Sequence, residues 1–133
     1  MSKTFVWVLL SFAAAIALFT SCKDDITGQG PPDIVFPDSN ISYGRYVQPL
    51  FDRSCAIPTC HSGDMPAKGL SLESYQKATE HLGIIYPGQP DASLLVLRIQ
   101  GTIQPRMPLY RDPLTTNQIN GIRRWIYEGA YNN

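Results

Sequence analysis

The stretch Cys55-Ala56-Ile57-Pro58-Thr59-Cys60-His61 constrains this chain more than any other. Two thiols followed at once by an imidazole is the arrangement that attaches a c-type haem. The sulfurs add across two porphyrin vinyl groups, and the adjacent histidine supplies the proximal iron ligand. The usual spacing is C-x-x-C-H, whereas four residues separate the cysteines here. A loop of that length must bulge if both sulfurs are to reach the vinyls, and Pro58 is positioned to set the bulge. A Cys55–Cys60 disulfide with His61 merely adjacent is the rival reading of the same residues.

The N-terminus bears on the compartment. Lys3 gives a short positive start, and Phe5 to Phe19 is an apolar run broken only by Ser11. That run is shorter than the about 20 residues of a membrane span and suits a signal peptide, with a retained anchor as the alternative. Leu18-Phe19-Thr20-Ser21-Cys22 resembles a lipobox, whose cysteine is lipidated and opens the mature chain. Lys23-Asp24-Asp25 resembles the export signal of surface lipoproteins in Bacteroidetes-like bacteria, although any charged linker would read similarly. The expected organisation is a lipoprotein signal peptide over 1–21, a lipidated flexible tether over 22–40 and a folded domain over 41–133. The expected location is the outer membrane, facing the periplasm or the cell surface, with the lipid on Cys22 as the membrane contact.

Charge and cysteine usage narrow the function. Removing residues 1–21 takes away Lys3 alone, which leaves ten basic residues against eleven acidic ones and a net charge near −1. No basic stripe is present, so nucleic-acid binding has no electrostatic footprint. Cys22 is spent on lipid, and Cys55 and Cys60 remain as a pair in an oxidising compartment.

The periodicity is helical throughout. Residues 26–40 are rich in Gly, Pro and Asp, as a tether would be, although Ile34, Val35 and Phe36 could dock onto the domain. Tyr43, Tyr46, Val47, Leu50 and Phe51 share one helical face, with Ser42 as N-cap. Pro49 predicts a kink or a start delayed toward Val47. Leu70 and Leu72 read as a short extended piece packing inward. Further helices are expected from Glu73 to Leu82, closed by Gly83, and from Asp91 to Gln100, stopped by Gly101. A last helix runs from a Thr115–Gln118 capping box to about Glu128. No alternating run is long enough for a sheet. The expected fold is a small all-α domain of about four helices with long loops. A core of some 90 residues with such loops is marginal alone, so a cofactor or staple is physically expected.

Met107, between Arg106 and Pro108 in the loop 102–112, is the candidate sixth ligand, since its thioether would raise the reduction potential relative to a second histidine. Core filling is the plain reading of a methionine, but a Pro-flanked polar loop is a poor place for it. Met65 lies too near His61 in sequence to swing to the other haem face. His81 reads as a surface or capping residue. Cys60 and His61, being sequence neighbours, lack the geometry of a nucleophilic pair. Cys55, Cys60, His61 and His81 match no zinc-ribbon spacing.

Six segments, taken in order, resemble the planctomycete-type cytochrome c family. They are Gln48-Pro49-Leu50-Phe51, Cys60-His61, Gly69-Leu70-Ser71-Leu72, Pro87 to Leu94, Met107-Pro108, and Ile122 to Ala130 with its Trp125-Ile126 pair. The resemblance implies a class-I-like monohaem domain wrapped around covalent haem c. Cys55 and Cys60 would be the attachment sites, with His61 and Met107 as iron ligands. It also implies an electron carrier that exchanges single electrons with redox partners and is not an enzyme. The family pattern departs at the widened Cys55–Cys60 spacer. A haem-free, disulfide-stapled surface binding domain on the same scaffold is the alternative.

Overall fold

The computed structural model describes Asp33–Asn133, which form one compact unit. The expected signal peptide, the lipidation site Cys22 and the first part of the tether, residues 22–32, lie outside the described residues. Within them the chain is all-α, with four α-helices and no strand. None of these helices is long and apolar enough to cross a membrane.

The first helical segment opens at Ser42, whose hydroxyl accepts the Arg45 N–H at 3.3 Å. Tyr43–Val47 wind as a wide π-type turn, closed by the Gln48 N–H on the Tyr43 carbonyl. The chain then tightens into α1, Gln48–Ser54. Pro49 has no N–H to give, and it falls in the first turn of α1, where none is needed. The delayed start expected from Pro49 is therefore a change of pitch. Tyr43, Val47, Leu50 and Phe51 are all buried.

Two helices are shorter than their periodicity suggests. The second, α2, spans only Tyr75–Thr79, because Ser74 takes the N-cap and accepts the Lys77 N–H at 3.4 Å. Gly83, at φ +88°, turns the chain beyond it. The third, α3, is Leu94–Gln100 and does not begin at Asp91. Pro90–Ala92 form a tight turn instead, and Asp91 pairs with Arg123 at 2.6 Å. The buried Ser93 hydroxyl donates to the Gln89 carbonyl and accepts the Tyr86 N–H, both at 2.9 Å. Gly101 ends α3 at φ +80°, in the left-handed region that glycine tolerates.

The last helix, α4, is Thr116–Tyr127 and carries the full capping box. Thr115 Oγ1 accepts the Gln118 N–H at 3.2 Å, and Gln118 Oε1 accepts the Thr115 N–H at 3.0 Å. Ile122, Trp125 and Ile126 point from α4 into the core. The Tyr43 ring meets Tyr75 edge-on at 5.1 Å and Trp125 at 5.4 Å, which joins α4 to the first helical segment. Burying an apolar side chain of this size contributes about 1.5–3 kcal/mol.

The residues just before this segment are packed against α4. The Phe36 ring lies so close to Gly121 that a Cβ there would sit 2.1 Å from it. Asn117 holds the Phe36 backbone at both its N–H and its carbonyl, at 2.8 and 3.0 Å. Glu128 accepts the N–H groups of Asn40 and Ile41, each at 2.9 Å. Burial pushes the Glu128 carboxyl upward, but these two bonds and Arg124 outweigh it and hold the group below the usual carboxylate range.

Candidate functional site

α1 delivers the chain into the cysteine loop. The N–H groups of Cys55 and Ala56 both donate to the Phe51 carbonyl, at 2.8 and 2.7 Å, which ends the helix at the first thiol. The loop then closes on itself, with the Cys60 N–H on the Ile57 carbonyl at 3.0 Å and the His61 N–H on the Cys55 carbonyl at 3.2 Å. In a C-x-x-C-H sequence the histidine follows the first cysteine by four, the interval of one α-helical hydrogen bond. Here the same carbonyl and the same histidine N–H meet across six residues. The surplus is taken up at Pro58 and Thr59, both exposed, with Thr59 at φ +71°. That conformation is a genuine outlier for a β-branched residue. The bulge expected from the long spacer is real, and Thr59 makes it.

His61 is held on two sides. Its Nδ1 lies 2.9 Å from the Leu70 carbonyl, and its own carbonyl accepts the Leu72 N–H at 2.9 Å. A carbonyl can only accept, so Nδ1 is the nitrogen that donates to Leu70, which leaves Nε2 as the one that could face a metal. A neutral imidazole oriented through one nitrogen and open at the other is the usual state of a metal-binding histidine. The stretch from Gly69 to Leu72, read from sequence as packing inward, does so at the buried Leu72, and it also orients the imidazole.

Cys55 and Cys60 are free thiols, each half-buried. Burial pushes the Cys55 thiol up to about 12; the Arg111 guanidinium opposes the shift and Cys60 adds to it. Arg111 comes from the loop that carries Met107, so that loop lies within electrostatic reach of Cys55. Met107 is half-buried and packs, like Cys55, Ala56 and Leu70, against the main hydrophobic core. Its N–H donates to the Arg98 carbonyl at 3.0 Å, and Arg98 Nη1 reaches the Pro105 carbonyl at 3.2 Å. Of the two competitors, one is in solvent and the other is already engaged by the backbone next to Leu70. Met65 is 93% exposed, and His81 Nε2 is 3.0 Å from the Gly69 carbonyl.

The donor set fits a c-type haem: two reduced, half-buried thiols, an imidazole with a free Nε2, and a thioether on a neighbouring loop. Among the described residues no three His, Cys, Asp or Glu side chains gather as a metal site. A haem iron held by one imidazole and one thioether would not register as such a group. Two surface clefts among the described residues, of about 380 and 310 Å³, follow α4 and the C-terminal residues, and neither is lined by Cys55, Cys60, His61 or Met107. Leu70 and Arg111 carry no signal in the sequence as neighbours of the site: a backbone carbonyl has no side-chain signature, and Arg111 reaches Cys55 only through the fold.

An all-α domain whose Cys-His turn is closed by backbone bonds, beside a Met-Pro loop, defines a cytochrome c-like class. Residues 58–108 match the family model described as Planctomycete cytochrome C. The match takes in Cys60, His61 and Met107 and begins after Cys55, so this part of the chain is similar to that family. No curated protein and no solved structure matches the chain.

Proposed function

We propose that this protein is a membrane-anchored monohaem cytochrome c that carries single electrons between redox partners. Cys55 and Cys60 would hold haem c covalently, His61 and Met107 would ligate its iron, and Cys22 would carry the lipid anchor on the outer membrane. The observation that carries the reading is the His61 ring, with Nδ1 on the Leu70 carbonyl and Nε2 left open. The cofactor, when bound, supplies a one-electron ferric–ferrous couple. The chain does the rest. The closed turn from Cys55 to His61 sets thiols and imidazole on one short stretch. Leu70 fixes the tautomer and strengthens the ring as a donor. Met107 offers a neutral, soft sulfur that favours the ferrous state. Half-burial of both cysteines leaves that edge of the site near solvent, where an electron can pass without substrate entry. None of these parts calls for bond-making on a substrate, which supports an electron carrier over an enzyme.

A haem stain on a denaturing gel tests this directly. Protein co-expressed with a haem-maturation system is expected to keep its colour after denaturation, and Met107→Ala to lose the thioether-linked absorbance. Colourless protein joined by a Cys55–Cys60 disulfide overturns the proposal.

A further inference from the structure

The two stretches that hold His61 are laced together by a residue outside the expected site. Glu73 Oε1 accepts the Gly63 N–H at 3.2 Å, two residues beyond His61. Its Oε2 accepts the Ser71 hydroxyl and the Lys77 ammonium, each at 3.0 Å. The Ser71 hydroxyl accepts the Glu73 N–H in return at 3.4 Å, so the carboxylate is itself oriented. His61 already meets the same stretch twice, ring to Leu70 and carbonyl to Leu72. Glu73 adds a third rung just past the imidazole. Between the two stretches runs an exposed excursion, residues 63–69, in which Gly63, Lys68 and Gly69 all have positive φ. The loop holds one tight turn, Ala67–Gly69, and is pinned midway by the Ala67 N–H on the Cys60 carbonyl at 2.6 Å, which leaves its Gly63 end to be fixed from elsewhere. The Gly63–Glu73 rung spans its mouth.

We propose that Glu73 is a positioning residue for the His61 imidazole. By tying Gly63 to the segment that carries Leu70, it holds the residue that bears the ring in register with the carbonyl that orients it. The tie is a matter of acceptor geometry, so a neutral acceptor of the same length preserves it. Its importance for iron rests on the reading of His61 as axial ligand, while the tie itself is a property of the folded chain.

The test compares Glu73→Gln with Glu73→Ala in the full chain purified after co-expression with haem-maturation proteins. In loaded protein the paramagnetic shifts of the haem methyl groups report the orientation of the axial imidazole. Glu73→Ala is expected to redistribute those shifts and to speed solvent exchange of the Leu72 amide and the His61 Nδ1 proton several-fold. Glu73→Gln is expected to keep the wild-type pattern. An unchanged pattern in a folded Glu73→Ala overturns the proposal, and so does Glu73→Gln matching Glu73→Ala, which would make charge the cause. Should Glu73→Ala fail to fold, Ser71→Ala, which removes one hold on the carboxylate, is expected to show a lesser change of the same kind. No change there overturns the proposal equally. If wild-type protein purifies colourless, the haem reading has failed on its own. The same variants then decide Glu73 through the His61 tautomer in nitrogen NMR, a single Nδ1–H form in wild type and Glu73→Gln against a mixture in Glu73→Ala.

Discussion

The segment that carries His61 and the loop that carries Met107 are built on opposite terms. His61 is gripped through its ring, its carbonyl and its own N–H, by Leu70, Leu72 and Cys55. Met107 has one backbone bond, to Arg98, in a loop whose Ile103, Leu109 and Tyr110 face solvent. The difference follows from the two donor groups. An imidazole has a second nitrogen, so a protein can steer the ring by bonding to it. A thioether has no second handle, so only the backbone can aim it, and Pro105 and Pro108 narrow that backbone around Met107. Under the proposed function, the gripped side would set the iron ligand and the loop side would tune it.

Four measurements would break or sharpen this contrast. The largest effect is expected from removing the ligands themselves. His61→Ala should lose nearly all haem-stained protein, whereas Met107→Ala should retain covalent haem and fall in reduction potential by tenths of a volt, of the order that axial ligation commands. Equal losses from both would erase the asymmetry.

Next comes Cys55 in protein made without haem. Its thiol is pushed from 9.0 up to about 12, which cuts the thiolate fraction near neutral pH about a thousandfold. Iodoacetamide at pH 8 should therefore label Cys55 far more slowly in folded than in urea-unfolded protein. Because the folded value is the higher one, the associated stability is fully present below about pH 9 and lost as pH climbs toward about 12. Labelling at equal rates would mean that the thiol is open to solvent.

A smaller effect is expected at Gly101, where an added Cβ would lie 2.9 Å from Arg106 Cδ at a φ of +80°. Gly101→Ala should cost about 1–2 kcal/mol in urea unfolding and disturb the Met107 loop. The exchange rate of the Leu72 amide should stay as it is.

The smallest effect is an acid one, confined to the His61 side. Lys77, the Gly63 N–H and Ser71 hold the Glu73 carboxyl below its usual range. A lowered folded value makes its contribution present above about pH 4.5 and lost as pH falls through the lower one. Protonation leaves a neutral oxygen facing the Gly63 N–H but releases the Lys77 ammonium, so the Lys77 side-chain signals should shift across that interval while the Gly63 amide keeps its protection, with no matching change at Met107.

How far the sequence foretold this arrangement depends on where each instruction resides. The Ser42 cap, the Thr115–Gln118 box and the Gly101 stop are local codes, and the chain obeys them. The start of α3 was misread because Asp91 is an equally good cap and ion-pair partner, and Arg123, distant in sequence, claims it. α2 starts later than its periodicity suggests because the Ser74 hydroxyl, rather than Glu73, takes the N-cap. Phe36 was left between tether and domain because its seat depends on Gly121 having no side chain. The site follows the same rule. Cys55, Cys60, His61 and Met107 announce themselves as residue types, whereas the carbonyl of Leu70 and the φ of Thr59 emerge only with the fold.

The bond that closes the cysteine loop makes spacer length and ligand position independent variables. The His61 N–H meets the Cys55 carbonyl with four intervening residues between the thiols, as it would with two. The two extra residues are absorbed at the exposed Pro58–Thr59 tip while the same backbone bond holds the imidazole's residue to Cys55. Spacing between the cysteines, the first thing a pattern search inspects, is then among the least constrained properties of the turn.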